Sequence, residues 1–163
     1  MRMGEGVEWA AHACVLLSAL PEGAGLPAAA IAAFHDVPPA YLAKHMQALS
    51  RAGIVTSARG ASGGYRLAKA PDEITLLEVA DAVDGSERAF RCAEIRQRGP
   101  CAAKKEDCTK ACAIAAAFWA AEKAYRAQLQ GVRLSDIMAG LIAKQDGASR
   151  GRLKTWLEAN VNV

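Results

Sequence analysis

Four of the five cysteines of this 163-residue chain lie close together in the sequence. They follow the spacing C-x8-C-x6-C-x3-C, at Cys92, Cys101, Cys108 and Cys112, whereas Cys14 stands alone. In a reducing compartment, clustered thiols favour metal binding or redox chemistry over structural disulfides. Zinc sites prefer two tight C-x2-C pairs, so this spacing is poor evidence for zinc. Ligation of an iron–sulfur cluster and direct oxidation of the thiols both stay open.

A carboxylate and an imidazole stand four residues apart near the start of the chain, in GVEWAAHACV. Apolar periodicity predicts a helix over 6–20, where residues i and i+4 share a face, so Glu8 and His12 share one. Taken alone, His12 is typical of a core histidine and Glu8 of a surface acid in a first helical turn. Trp9 alone is typical of core packing. Cys14 falls on another face and is expected to be a small core residue.

The early sequence has Glu5 and Glu8 rather than a basic region followed by an apolar one, so it does not resemble a signal peptide. No apolar run reaches the roughly 18 residues that a membrane span needs. We therefore expect a soluble, cytoplasmic protein with no membrane partner.

The apolar spacing predicts the element order helix, short helix, turn, helix, hairpin, which is that of a winged helix-turn-helix. The short helix is expected at 26–35, the recognition helix at 40–53 and a further helix at 74–85. IVTSARGASGGYRLA lies between the last two and predicts a β-hairpin with a glycine-rich turn. Thr75 and Glu78 form a capping-box pattern. The expected fold is mostly α, with a small β wing and a long dimerisation helix.

The stretch from Val37 to Pro71 contains five Lys or Arg residues and no Asp or Glu. Such a stretch is typical of a polyanion-binding surface, and it coincides with the predicted recognition helix and wing. Gln and Lys read base edges, whereas Tyr and Arg more often hold phosphates. A solvated basic face or a winged helix that binds protein is the alternative. The predicted contacts to double-stranded DNA are Tyr41, Lys44, Gln47, Arg51, Arg59, Ser62 and Gly63.

A polar loop with Gly99 and Pro100 at its middle separates the winged half from a long predicted helix. Loops of this length in compact domains are usually functional or disordered. The helix carries an apolar stripe suited to dimerisation, and a dimer matches a palindromic operator. We expect three parts: a DNA-binding domain at 1–85, a cysteine-bearing loop at 86–111, and a dimerisation helix with C-terminal helices at 112–163.

The run from PPAYLAKHMQALSRAG to LLEVADAVDG, with its GGYRLA wing, resembles the winged-helix half of the IscR/NsrR family of iron–sulfur transcription regulators. GVEWAAH, EIRQRGP and CTKAC are closer still to a redox-sensing actinobacterial branch of that family. The resemblance implies a homodimeric regulator, not an enzyme, that binds DNA under the control of a [2Fe–2S] cluster. It also implies that Cys92 and Cys112 of one subunit and Glu8 and His12 of the other are the ligands, with Trp9 beside the cluster.

The chain lacks the evenly spaced three-cysteine pattern typical of that family, and Cys101 and Cys108 are additional thiols. A helix extended upstream would present Cys108 together with Cys112. Cys101 or Cys108 would then replace Glu8 as a ligand in some states, or the two would form a disulfide. One alternative function is a cluster-free winged-helix regulator that senses oxidants through its thiols. An alternative of another class is an iron–sulfur electron carrier, which has no need of a winged-helix half.

Overall fold

The computed structural model describes residues 3–58, 60 and 63–161. It is mostly helical with one two-stranded antiparallel sheet, which confirms the predicted fold class. The helices and strands are α1 (Glu5–Leu17), α2 (Ala28–His35), α3 (Pro39–Arg51), β1 (Val55–Ala58), β2 (Gly64–Leu67), α4 (Leu76–Asp84), α5 (Ala113–Gln130), α6 (Leu134–Lys144) and α7 (Gly147–Asn160). Within the described residues, no helix is both long and apolar enough to cross a membrane.

The ends of the helices in the winged half follow local backbone chemistry. α3 begins at Pro39, whose fixed φ suits the first turn of a helix. Gly53 follows the end of α3 with φ +69°, a left-handed conformation that favours glycine. The predicted capping box opens α4: the Glu78 N–H donates to Thr75 Oγ1 at 3.2 Å, and the Thr75 N–H donates to Glu78 Oε2 at 2.8 Å. α1 ends at Leu17, three residues earlier than expected.

A single hydrophobic core joins the winged half to the C-terminal part of the chain. α1, α2, α3, β1 and α4 contribute buried side chains, and Leu134 at the start of α6 is fully buried among them. Two backbone hydrogen bonds hold the start of α6 against the segment before α4. The Leu134 N–H donates to Ile74 O at 3.0 Å, and the Leu76 N–H donates to Val132 O at 2.9 Å. In addition, Arg126 of α5 donates to both carboxylate oxygens of Asp81 in α4.

The wing is a hairpin whose second strand is also bonded to the segment before α2. β1 and β2 pair from Val55 opposite Leu67 to Ala58 opposite Gly64. The Tyr65 N–H donates to Leu26 O at 2.7 Å, and the Leu26 N–H donates to Tyr65 O at 3.0 Å. This bridge anchors the base of the wing to the helical body.

Replacing Gly64 by alanine is expected to destabilise the wing. Gly64 has φ +131°, and a Cβ there would lie 2.6 Å from the carbonyl carbon of Leu26. Backbone strain of this kind costs roughly 1–3 kcal/mol, before any cost of separating the two segments. Gly53→Ala is the matched control, because Gly53 also has a positive φ but faces open space. Urea unfolding should show a larger loss for Gly64→Ala; equal losses would contradict the predicted clash.

Candidate functional site

The Glu8 and His12 side chains are both exposed and lie on one face of α1, one helical turn apart. The His12 ring centroid is 5.5 Å from that of His35, at the end of α2. His35 Nε2 is buried and has no hydrogen-bond partner among the described residues. Burial lowers the pKa of His35 below its ordinary value, and the nearby His12 adds to this effect. The exposed carboxylate and imidazole are thus free to bind a group outside this chain.

The sequence did not indicate His35 as part of this surface, since only the fold brings the end of α2 to α1. Trp9 is half-buried, and its ring meets that of His45 edge-on with the ring centroids 6.1 Å apart. Cys14 is fully buried, and burial raises the pKa of its thiol to about 12. Its expected place in the core is therefore confirmed.

The four clustered cysteines lie in the segment between α4 and α5. Cys92 and Cys101 are exposed, while Cys108 and Cys112 are partly buried. Cys112 is the residue before α5, and its carbonyl accepts a hydrogen bond from the Ala116 N–H at 2.8 Å. Cys108 ends a separate 3₁₀ turn, Lys105–Cys108. The upstream extension of α5 that would present Cys108 and Cys112 on one helix is therefore absent, because the chain breaks its helical bonding at 109–112.

One arginine connects the two sequence motifs of this segment. Arg96, from EIRQRGP, donates through Nη2 to Glu94 Oε2 at 3.0 Å and to Lys110 O, within CTKAC, at 2.9 Å. The Glu94 carboxylate raises the pKa of Arg96, and the thiols of Cys108 and Cys112 are close enough to add to this effect. The Arg96 guanidinium therefore places a positive charge near the Cys108 and Cys112 thiols.

The structure does not bring all the expected ligands together within one chain. Among the described residues, no group of three or more His, Cys, Asp and Glu side chains is placed to hold a metal ion. Glu8 and His12 form one pair on α1, while Cys92 and Cys112 belong to the loop before α5. The four expected ligands are therefore divided between two parts of the chain.

The predicted DNA-reading residues of α3 lie on its exposed side. Leu42, Met46 and Leu49 are fully buried. Tyr41 is 63% exposed, and Lys44, Gln47 and Arg51 are exposed as well. Neither the Lys44 nor the Arg51 side chain forms a hydrogen bond or ion pair with the described part of the chain.

Of the three DNA contacts predicted in the wing, the structure describes Gly63. Gly63 is buried, and its N–H donates to Gly60 O at 2.9 Å. Arg59 and Ser62 lie outside the described residues. The other two cations of the acid-free stretch have partners in the protein: Lys69 pairs with Glu78 at 3.1 Å, and Arg66 donates to Gly23 O at 3.4 Å.

The start of α5 carries exposed apolar side chains directly after Cys112. Ile114 is 61% exposed and Phe118 is 53% exposed. The Phe118 ring stacks on that of Phe90 at 4.7 Å, and the Trp119 indole N–H donates to Phe90 O at 3.2 Å. The cysteine loop is thus fastened to α5 next to an uncovered apolar face.

Comparison with known proteins places these features in a family. Residues 3–140 match Rrf2, described as an iron-dependent transcriptional regulator. YwgB of Bacillus subtilis, named as an HTH-type transcriptional regulator, is 42% identical over 85 residues, which are 52% of this chain and 54% of YwgB. The matching part of the chain thus spans about half the length of that relative.

Two solved structures share the fold. CymR of B. subtilis, titled the global cysteine regulator, superposes with a TM-score of 0.67 at 20% identity, covering 85% of this chain and 97% of CymR. IscR of T. potens superposes with a TM-score of 0.67 at 18% identity, covering 90% of this chain and 93% of IscR. The winged-helix architecture is common to these proteins.

Proposed function

Because the chain belongs to the Rrf2 family of transcriptional regulators, we propose that it is a homodimeric regulator whose affinity for DNA depends on the redox state of a [2Fe–2S] cluster. Its relatives are transcription regulators rather than enzymes. The observation that carries the proposal is the division of the expected ligands. Glu8 and His12 are exposed on α1, whereas Cys92 and Cys112 lie in the loop before α5, and one chain does not gather them.

The donor atoms fit such a cluster. Thiolates hold iron–sulfur clusters, and imidazole replaces thiolate at one iron in Rieske centres, which raises the potential. We infer that Cys92 and Cys112 of one subunit hold one iron, and that Glu8 and His12 of the other subunit hold the second. Arg96 supplies a positive charge near the Cys112 thiol. In its ligand motifs the chain resembles RsrR, a redox-sensing regulator.

The bound cluster would supply one-electron redox chemistry. In the proposed dimer, Glu8 and His12 connect α1 of one subunit to the cysteine loop of its partner. Ile114 and Phe118 offer an apolar face next to that contact, which a second copy would cover. Lys44 and Gln47 on α3 read the major groove, with Tyr41 and Arg51 holding phosphates. The device is allosteric only if the oxidised and reduced proteins differ in DNA affinity.

Anaerobic purification is expected to yield a coloured protein with about two irons and two sulfides per subunit. Its visible absorption should bleach on reduction with dithionite and return in air. His12→Ala should lose this absorption while the protein stays folded, because His12 is exposed and contributes little to the core. Cys14→Ala is the control and should keep the spectrum, since Cys14 is buried in the hydrophobic core. An unchanged spectrum in His12→Ala would refute the ligand assignment.

A second candidate is a cluster-free regulator that senses oxidants through Cys108 and Cys112. It is favoured by the Arg96 guanidinium near both thiols, because reactive cysteines are found in electropositive surroundings. The same experiment separates the two proposals. A protein that stays colourless after anaerobic reconstitution, and whose DNA affinity changes with peroxide, would support thiol sensing. The electron-carrier alternative is disfavoured, because a carrier has no use for the exposed side of α3.

A further inference from the structure

The first turn of α1 lies against the middle of α3 at a position that only glycine fits without displacing a neighbour. Gly6 faces the imidazole of His45 so closely that a Cβ at position 6 would lie 2.6 Å from His45 Nε2. Atoms that are not bonded do not approach this closely, so the ring occupies the space where any other side chain would begin. His45 therefore packs directly on the backbone of α1.

The same imidazole also contacts the next residue along that face of α1. Trp9 lies three residues after Gly6, and its ring meets His45 edge-on with centroids 6.1 Å apart. Glu8 falls between these two positions in sequence, and His12 lies one turn beyond. His45 is thus in contact with the part of α1 that carries the proposed ligands.

His45 occupies the border between the core side and the exposed side of α3. Leu42 and Met46 on one side are fully buried, while Lys44 is exposed. Burial and the neighbouring Lys44 lower the pKa of His45, against an opposing effect of Asp84. The lowered pKa favours the neutral form of the ring.

We propose that His45 is a positioning residue that transmits a displacement of α1 to the DNA-reading side of α3 through its contact with Gly6. This inference rests on the proposed function, because the displacement arises from the ligands on α1. Close-packed contacts do not compress, so a shift of the Gly6 backbone must move the imidazole and the α3 residues beside it. Removing the ring would leave α1 free to move at its first turn without moving α3.

The test compares the ratio of DNA affinities of oxidised and reduced holoprotein across variants. His45→Ala is expected to reduce the wild-type ratio by roughly twofold to thirtyfold while the visible spectrum stays the same. His45→Gln keeps a flat polar group of similar reach and should therefore retain much of the wild-type ratio of DNA affinities. Gly6→Ala should also change the ratio, since its methyl group displaces the ring. Gln47→Ala is the control, because it should weaken both states equally.

A second readout needs no DNA. Amide hydrogen exchange over α3 is expected to differ between oxidised and reduced wild-type protein, and this difference should be lost in His45→Ala. Wild-type protein that switches, with His45→Ala and Gly6→Ala variants that switch equally, would overturn the role of His45 alone. Wild-type protein with equal affinities in both states would overturn the proposed function and this inference together.

Discussion

Co-expression of two defective variants is expected to restore a cluster that neither variant holds alone. One variant carries Glu8→Ala with His12→Ala, and the other carries Cys92→Ser with Cys112→Ser. If each site takes two ligands from each subunit, a heterodimer has one complete site and one site without ligands. Each homodimer has only incomplete sites, so no cluster is expected in either variant expressed by itself.

Different affinity tags allow the heterodimer to be isolated in two steps. Its visible absorption and iron content per dimer should be about half of the wild-type values. The control is a heterodimer of one chain that carries only Glu8→Ala and one chain that carries only His12→Ala. Each of its two sites lacks one ligand, so no cluster is expected. Recovery of absorption in the first heterodimer alone would establish ligation across subunits. A heterodimer as colourless as its parents would show that the four residues do not form shared sites.

Two substitutions on α3 are expected to weaken DNA binding in different ways. Gln47→Ala should lose roughly 1–3 kcal/mol at one base pair and relax specificity there, because the Gln side chain reads a base edge. Arg51→Ala should weaken binding to all duplexes alike and reduce the salt slope by about 1, because its cation neutralises a phosphate. Both residues are exposed on the side of α3 that faces away from Leu42 and Met46.

The measurement is fluorescence anisotropy over a range of salt concentrations, with duplexes selected from a random library. Lys144→Ala is the control for Arg51→Ala, because it removes an equal charge at the exposed end of α6. Its salt slope should equal that of the wild type. An Arg51→Ala protein with the wild-type slope would show that this residue does not contact phosphate, and unchanged specificity in Gln47→Ala would remove its base-reading role.

Local sequence signals predicted the winged half of the fold well. Apolar spacing placed the recognition helix, since Leu42, Met46 and Leu49 alternate with polar residues at helical intervals. Gly53 and the Thr75–Glu78 pair marked helix ends correctly because these signals act over a few residues. That Glu8 and His12 share one face also follows from helix geometry, whereas the exposure of His12 does not, because it depends on how α1 packs.

Contacts between distant segments could not be predicted in this way. The bridge between Leu26 and Tyr65 and the approach of His35 to His12 depend on how the helices pack, and no short pattern encodes this packing. The course of the cysteine-bearing loop could not be predicted from short patterns either. Four-residue spacing suggested a helix shared by Cys108 and Cys112, but the 3₁₀ turn and the interactions of Arg96 give that segment another course. The proposed ligation between subunits is likewise not encoded by any local pattern, and only the family resemblance implied it.

The burial of Leu134 among side chains of the winged half limits how the protein can be recombined. Its side chain is fully enclosed, and backbone hydrogen bonds to Ile74 and Leu76 flank it. Removing a buried leucine side chain typically costs about 2–5 kcal/mol, a large share of the stability of a small domain. The winged half therefore shares its core with α6 and is not expected to keep its full stability when it is separated from the C-terminal part of the chain. A chimaera that joins the winged half to a different C-terminal domain must also supply an apolar side chain at the position of Leu134.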